Sequence, residues 1–227
     1  CNTVIKNKEL FDHLNPCIIT GSDSVSHVGI SLYAGVYRKK LLEVLTERPE
    51  LCYVGLAKFA HVMLAHYPQL HGRAIFIDQG HEGPNFNMLE DFRSPNLDST
   101  MNIHMLPIAA TLFKQIFLIG CDGKKKSGDN EDFWSHSQRA QYHDLVDTGH
   151  KCHPTFDIHR QKNTYEKYLH SINWTLNDGM KKGIQYFSLA HSYVPIIDSL
   201  CIRDEKNSPS EQAENSLRSL VIFSKDI

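Results

Sequence analysis

The sequence has no Gly-x-Gly-x-x-Gly turn and no Gly-x-x-x-x-Gly-Lys-Ser/Thr loop. Those turns hold dinucleotides and triphosphates on backbone N–H groups, so an ordinary dinucleotide enzyme and a P-loop NTPase are disfavoured. Gly-x-Ser-x-Gly and His-Glu-x-x-His are absent as well, which argues against a hydrolase elbow and a zincin site. The six cysteines are scattered, with no Cys-x-x-Cys pair. A zinc ribbon or a disulfide framework is therefore not expected, and 227 residues bury a core without staples. A reducing compartment, the cytoplasm, fits this cysteine usage. Apolar runs stay well short of the roughly 20 residues that span a bilayer. The net charge of −2 gives no bulk attraction to nucleic acid. Lys124-Lys125-Lys126 is a local basic run and reads as a solvated loop.

What is present is a succession of short apolar runs separated by helical patterns. Cys17–Thr20, Leu51–Val54, Ala74–Ile77, Ile116–Ile119, Ile184–Leu189 and Leu220–Phe223 read as strands. Thr3–Ile5 reads as a strand end. Lys8–Leu14, a segment capped by Ser31 and running to Leu45, Ala57–His66, Gln138–Val146, Asn163–Asp178 and Val194–Leu200 read as helices. The stretches Glu82–Asp98 and His150–Phe156 read as loops. Alternation of this kind predicts an α/β fold, a Rossmann-like open and mostly parallel sheet with helices on both faces. No internal repeat and no linker interrupts it, so residues 1–227 read as a single domain. Ile116-Phe117-Leu118-Ile119 stands out as an unbroken apolar run closed by Gly120-Cys121-Asp122-Gly123. Such a run suits a strand covered on both faces. Ligands of open α/β sheets bind beyond the carboxyl ends of the strands, where Asp122 and Gly123 would stand.

Candidate chemistry gathers in few places. Asp129-Asn130-Glu131-Asp132 offers hard oxygens for a divalent cation, but no strand anchors it and the expectation is no metal. His150, Cys152, His153 and His159 form a denser group without the cysteine pair a zinc site would use. Imidazoles titrate near neutrality, so acid–base work suits the group better. Tyr165 and Tyr168 follow His159-Arg160 on a helix; their hydroxyls either hold phosphate oxygens or pack inward. His191-Ser192-Tyr193 follows a buried run and suits ligand contact.

At these residues the chain resembles the bacterial sialyltransferase fold and a related group that includes 6-hydroxymethylpterin pyrophosphokinase-like proteins. Cys1-Asn2, followed by Pro16-Cys17-Ile18-Ile19, is similar to the strand whose Cys-Asn dipeptide sets an Asn beside the donor nucleotide. Ser99-Thr100 through Asp122 resembles the family's turn, helix and strand ending in Gly-x-Asp. His159-Arg160-Gln161-Lys162-Asn163-Thr164 resembles the segment that carries the catalytic base. Gly183 through Ser192 resembles the closing strand, with His191 where an Asn-like residue is usual. The first strand and its Gly-x-Gly-Pro-Ser-type phosphate turn have no counterpart here, which reads as a trimmed start. Asp23–Ala34 is closer in look to glycan-assembly proteins than to true sialyltransferases.

The resemblance implies a metal-independent, inverting glycosyltransferase that uses a nucleotide-activated sugar, a CMP-linked acidic sugar, in surface-glycan assembly. It implies no cofactor beyond that donor. His159 would be the base and His153 its rival. Asn2, Ser99, Thr100, Gly123, Tyr165, Ser192 and Tyr193 would contact nucleotide or phosphate, and Asp122 would orient the ribose. The partners implied are the donor and a glycan acceptor, not nucleic acid, at a cytoplasmic site peripheral to the inner membrane. The alternatives are a pterin pyrophosphokinase-like phosphotransferase, which needs Mg²⁺ and ATP, and an inactive nucleotide- or glycan-binding module.

Overall fold

The computed structural model describes residues 3–123, 142–152, 164–202 and 221–223. The chain divides into two compact units: Cys1–Gln79 with Trp134–Glu166, and Gly80–Phe133 with Lys167–Ile227. Asn2, His153 and His159, the basic run Lys124–Lys126 and the acidic run Asp129–Asp132 lie outside the described residues.

In the first unit, α1 (Lys8–Leu14) starts at Asn7, whose side chain accepts from Leu10 N at 3.1 Å. It stops at Asn15, in the left-handed region with φ 42°. β1 (Ile18–Gly21), α2 (Leu32–Glu47), β2 (Cys52–Leu56), α3 (Ala60–His66) and β3 (Ala74–His81) then alternate. β1 pairs parallel with β2, Ile18 opposite Cys52, and β2 pairs parallel with β3, Tyr53 opposite Ala74. α2 is capped by Ser31, whose hydroxyl accepts from Ala34 N at 3.1 Å. Its inner stripe is Tyr37, Leu41 and Leu45, four residues apart and fully buried. Burying each side chain of that size contributes about 1.5–3 kcal/mol. Gly21 has a local reason. A Cβ there would meet Tyr53 Oη at 2.8 Å, and His27 Nδ1 and Tyr37 Oη at 3.3 Å.

Two expectations in this unit need correction. Thr3–Lys6 is a 3₁₀ turn, not a strand end. Asn7 N donates to Val4 O at 3.1 Å, so the segment coils into the start of α1, and burial of Thr3, Val4 and Ile5 needs no sheet partner. His150 and Lys151, expected in a loop, are the last residues of α5 (Val146–Lys151), which a 3₁₀ turn at His143–Leu145 precedes. The cause is tertiary. Thr148 Oγ1 accepts from Tyr33 N at 3.2 Å and donates to Leu145 O at 2.7 Å. His150 is therefore a half-buried helical residue.

The second unit contains β4 (Arg93–Pro95), a short strand within the stretch expected as loop. A π-helical turn (Met101–Met105) leads into α4 (Leu106–Leu112), then β5 (Gln115–Ile119). α6 (Thr164–Lys181) leads into β6 (Gln185–Ser188), followed by α7 (Pro195–Ser199) and β7 (Val221–Phe223). The strand order is β6-β5-β7, all parallel, with Ile116 opposite Tyr186 and Leu118 opposite Ile222. β5 is the middle strand, as its apolar run implied, and Ile116, Phe117 and Leu118 are buried. The Phe117 and Phe187 rings stack with centroids 5.0 Å apart. From α6, Tyr168, Ile172 and Leu176 supply the buried face.

The architecture is mixed α/β, with an open parallel sheet flanked by helices, the Rossmann-like class expected. Among the described residues no helix is long and apolar enough to cross a membrane.

Candidate functional site

The carboxyl ends of β5 and β6 lie side by side because the two strands are parallel neighbours. Beyond β5 the chain turns through Gly120 and Gly123, both with φ near +70°, a conformation that only glycine adopts without strain. Between them stand Cys121 and Asp122. Beyond β6 the chain turns through Leu189–Val194 into α7.

A dense set of hydrogen bonds joins the two turns. Ser192 Oγ donates to Cys121 O at 2.5 Å. Tyr193 N donates to Asp122 O at 2.7 Å. Ser192 Oγ also accepts from Val194 N at 3.0 Å, so one hydroxyl closes its own turn and clips it to the neighbour. Leu189 N donates to Leu118 O at 2.9 Å at the last rung of the ladder. Asp122 and Ser192 are half-buried, Gly123 is buried and Tyr193 is 53% exposed. Four of the residues singled out in the sequence thus meet at one edge of the sheet.

Asp198, on α7, adds a fifth element. Its Oδ1 lies 2.8 Å from His191 Nδ1 and accepts from Ser192 N at 3.3 Å. The side chain of His191 is 77% exposed. A carboxylate oxygen only accepts, so in this hydrogen bond His191 Nδ1 is the donor.

The segment before α4 supplies a third wall. Ser99 adopts a left-handed conformation with φ 70°, uncommon for a residue with a side chain. Its carbonyl accepts from Ile103 N at 3.0 Å. Asp98 Oδ2 accepts from Ser171 Oγ of α6 at 3.3 Å. Met101 Sδ is 3.9 Å from Cys121 Sγ, which brings the start of the π-helical turn against the end of β5. Thr100 is buried at this junction. Asn102, in the same turn, is fully buried, and its amide has no hydrogen-bond partner among the described residues. An amide left unpaired in a protein interior costs about 1–3 kcal/mol. π-helical turns are rare and concentrate at functional sites. Strain at Ser99, the start of the π-helical turn at Met101 and the unpaired Asn102 fall within four consecutive residues.

Tyr165 lies in the first turn of α6 and is half-buried, while Tyr168 packs into the core. Cys152 is exposed at the end of α5. Among the described residues, no three His, Cys, Asp or Glu side chains come together as a metal centre. Sequence reasoning did not find the His191–Asp198 pair or Asn102. The pair spans seven residues and depends on the turn and on Pro195 starting α7, which no local pattern encodes. Asn102 sits inside an apolar stretch, and its mismatch with that stretch was the available signal.

Set against known proteins, the chain matches no family model, and no curated protein or solved structure is similar to it.

Proposed function

We propose that this chain is a metal-independent, inverting glycosyltransferase that takes a nucleotide-activated sugar, a CMP-linked acidic sugar, and passes it to a glycan acceptor. The observation that carries the reading is the joined edge at β5 and β6. Asp122, Gly123, Ser192 and Tyr193 converge there, at the carboxyl ends of parallel strands, the usual ligand position of this fold class. The resemblance at Ser99–Thr100 gives that edge its chemistry, and the resemblance of the segment His159–Thr164 to the family's base motif gives the reading its base.

In such a transfer a base removes the proton of the acceptor hydroxyl, and fixed donors stabilise the phosphate as it leaves. His159 is the base in this reading. The half-exposed Tyr193 side chain and the backbone around Gly123 face the nucleotide phosphate, Ser192, whose hydroxyl proton goes to Cys121 O, shapes the turn beside it, and Asp122 takes the ribose hydroxyls. On the resemblance alone, Asn2 and Tyr165 are further candidates for donor contact. The strained Ser99 turn and the unpaired Asn102 amide support the reading, because both carry a cost that folding alone does not require.

A thermal-shift panel of CMP, UDP, GDP and ATP, each with and without Mg²⁺, tests it. CMP is expected to stabilise the protein most, with no need of Mg²⁺. Saturation at a hundredfold excess over Kd corresponds to about 2.7 kcal/mol. A response confined to ATP with Mg²⁺ would move the reading to phosphoryl transfer. Silence to all four at millimolar concentration would leave only the inactive-module alternative.

A further inference from the structure

Trp174 is a large aromatic residue of α6 left 44% exposed, and its ring lies against a turn that has no side chain. Gly83 adopts φ +78°, and a Cβ there would stand 2.9 Å from Trp174 Cζ2 and 3.0 Å from Cη2. The indole is therefore seated on backbone rather than on a movable side chain. The same glycine holds a second ring: its carbonyl accepts from His81 Nδ1 at 3.1 Å. Two bonds join this pair of rings to the segment that leads into the Ser99 turn. Asn96 N donates to His81 O at 3.1 Å. Asp98 Oδ2 accepts from Ser171 Oγ at 3.3 Å, and Ser171 lies one helical turn before Trp174. Asn96 and Asp98 are both exposed. A seated, exposed indole is thus tied to an amide and a carboxylate that adjoin the third wall of the candidate site.

We propose that Trp174 is the platform of an acceptor subsite, on which a neutral pyranose ring of the glycan acceptor stacks. The proposal rests on the reading of the β5–β6 edge as a nucleotide-sugar site, and it names where the second substrate is held. A pyranose has two kinds of surface. The C–H bonds of one face are apolar and slightly positive, which suits the negative face of an indole. The hydroxyls need partners that give and take hydrogen bonds. The Asn96 amide does both, and the Asp98 carboxylate, one oxygen of which is on Ser171, accepts. Other occupants fit less well. A single-stranded nucleic acid also stacks on exposed aromatics, but it needs a positive groove for its phosphates. The charged groups here are Glu82, Asp98 and Asp178, and the lysine nearest Asp178, Lys182, already lies 3.8 Å from it. A protein partner would use an apolar core around the indole. The neighbours of Trp174 along the outer side of α6 are instead polar: His170, Asn173 and Asn177.

Saturation-transfer NMR and calorimetry test the subsite, with lactose, maltose, cellobiose, mannobiose and chitobiose as probes at tens of millimolar. The wild type is compared with Trp174→Ala, Trp174→Phe and Asn96→Ala, and CMP binding is measured on the same samples. At least one disaccharide is expected to bind the wild type, with Kd raised about tenfold in Trp174→Ala, the size of loss that removing one stacked ring produces. Trp174→Phe keeps a flat ring and should keep part of the affinity. Asn96→Ala changes an exposed side chain and should weaken sugar binding severalfold, which gives a second arm if Trp174→Ala fails to fold. CMP affinity should be the same in all four proteins. In a transfer assay Trp174→Ala should raise the acceptor KM and leave the donor KM unchanged. No binding of any disaccharide by the wild type, or equal binding by wild type and Trp174→Ala, overturns the subsite; where CMP still binds, the donor reading stands. Sugar binding that depends on Trp174, in a protein silent to all four nucleotides, keeps the subsite and overturns the transferase reading in favour of a glycan-binding module.

Discussion

Replacing Gly179 with alanine is expected to destabilise the protein by about 2 kcal/mol net, an overpacking cost of about 3 kcal/mol offset in part by helix propensity. Gly179 lies in the last turns of α6 and faces Tyr186 of β6. A Cβ at that position would overlap Tyr186 Oη and stand 2.9 Å from ring atoms Cε2 and Cζ. The ring is held in a sheet and cannot swing aside, so the helix must lift. Alanine's better helix propensity returns only about 1 kcal/mol. For a chain of this size the net change corresponds to a fall in Tm of roughly 4–8 °C. The Tyr186 hydroxyl is buried with no hydrogen-bond partner among the described residues. Burial, and then Asp178, push its ionisation well above the ordinary tyrosine range, so it stays protonated and gains nothing from its site. Tyr186→Phe alone should therefore be neutral or mildly stabilising. Combined with Gly179→Ala it should recover part of the loss, because the worst overlap is with the hydroxyl. Thermal and urea denaturation of the two single variants and the double variant close the cycle. A Gly179→Ala protein as stable as wild type would refute the packing described for α6 against β6.

The second large effect concerns turnover rather than stability. His159→Ala is expected to lower transfer by roughly 10²–10⁴ while leaving donor affinity nearly unchanged. A general base acts as the bond forms, so its removal strips stabilisation from the transition state and little from the ground state. The test is kcat and KM for transfer from a CMP-linked acidic sugar, with donor Kd measured separately. His153→Ala is the control and should do much less. If His153→Ala abolishes turnover and His159→Ala does not, the base is the other histidine. If neither matters in an active preparation, acid–base work by this group is refuted.

These two sites were not equally legible. β5 could be read from Ile116–Ile119 because a strand buried on both faces writes itself as an unbroken apolar run. α2 could be read because Tyr37, Leu41 and Leu45 repeat at helical spacing. Thr3–Lys6 misled because β-branched residues favour strands, while the fold needed only their burial and a turn into α1. α5 stayed hidden because its start is organised by Tyr33, more than a hundred residues away in sequence. In the candidate site, Asp122 and Ser192 were legible as polar groups closing apolar strands. The His191–Asp198 pair was not, since the carboxylate comes from a five-residue helix after Pro195. The π-helical turn has no sequence pattern of its own, and only the misfit of Asn102 in an apolar stretch pointed to it.

Among the described residues, Val221–Phe223 are what runs along the second side of β5 and makes it an interior strand. Until those residues arrive from synthesis, one whole row of its backbone amides and carbonyls stands open beside Ile116-Phe117-Leu118-Ile119. An uncovered apolar strand of that kind is a template for another chain of the same sequence. The closing strand is thus also a guard against self-association. A nascent chain, or one clipped ahead of Val221, would sit in a state prone to clumping even with every residue of the candidate site intact.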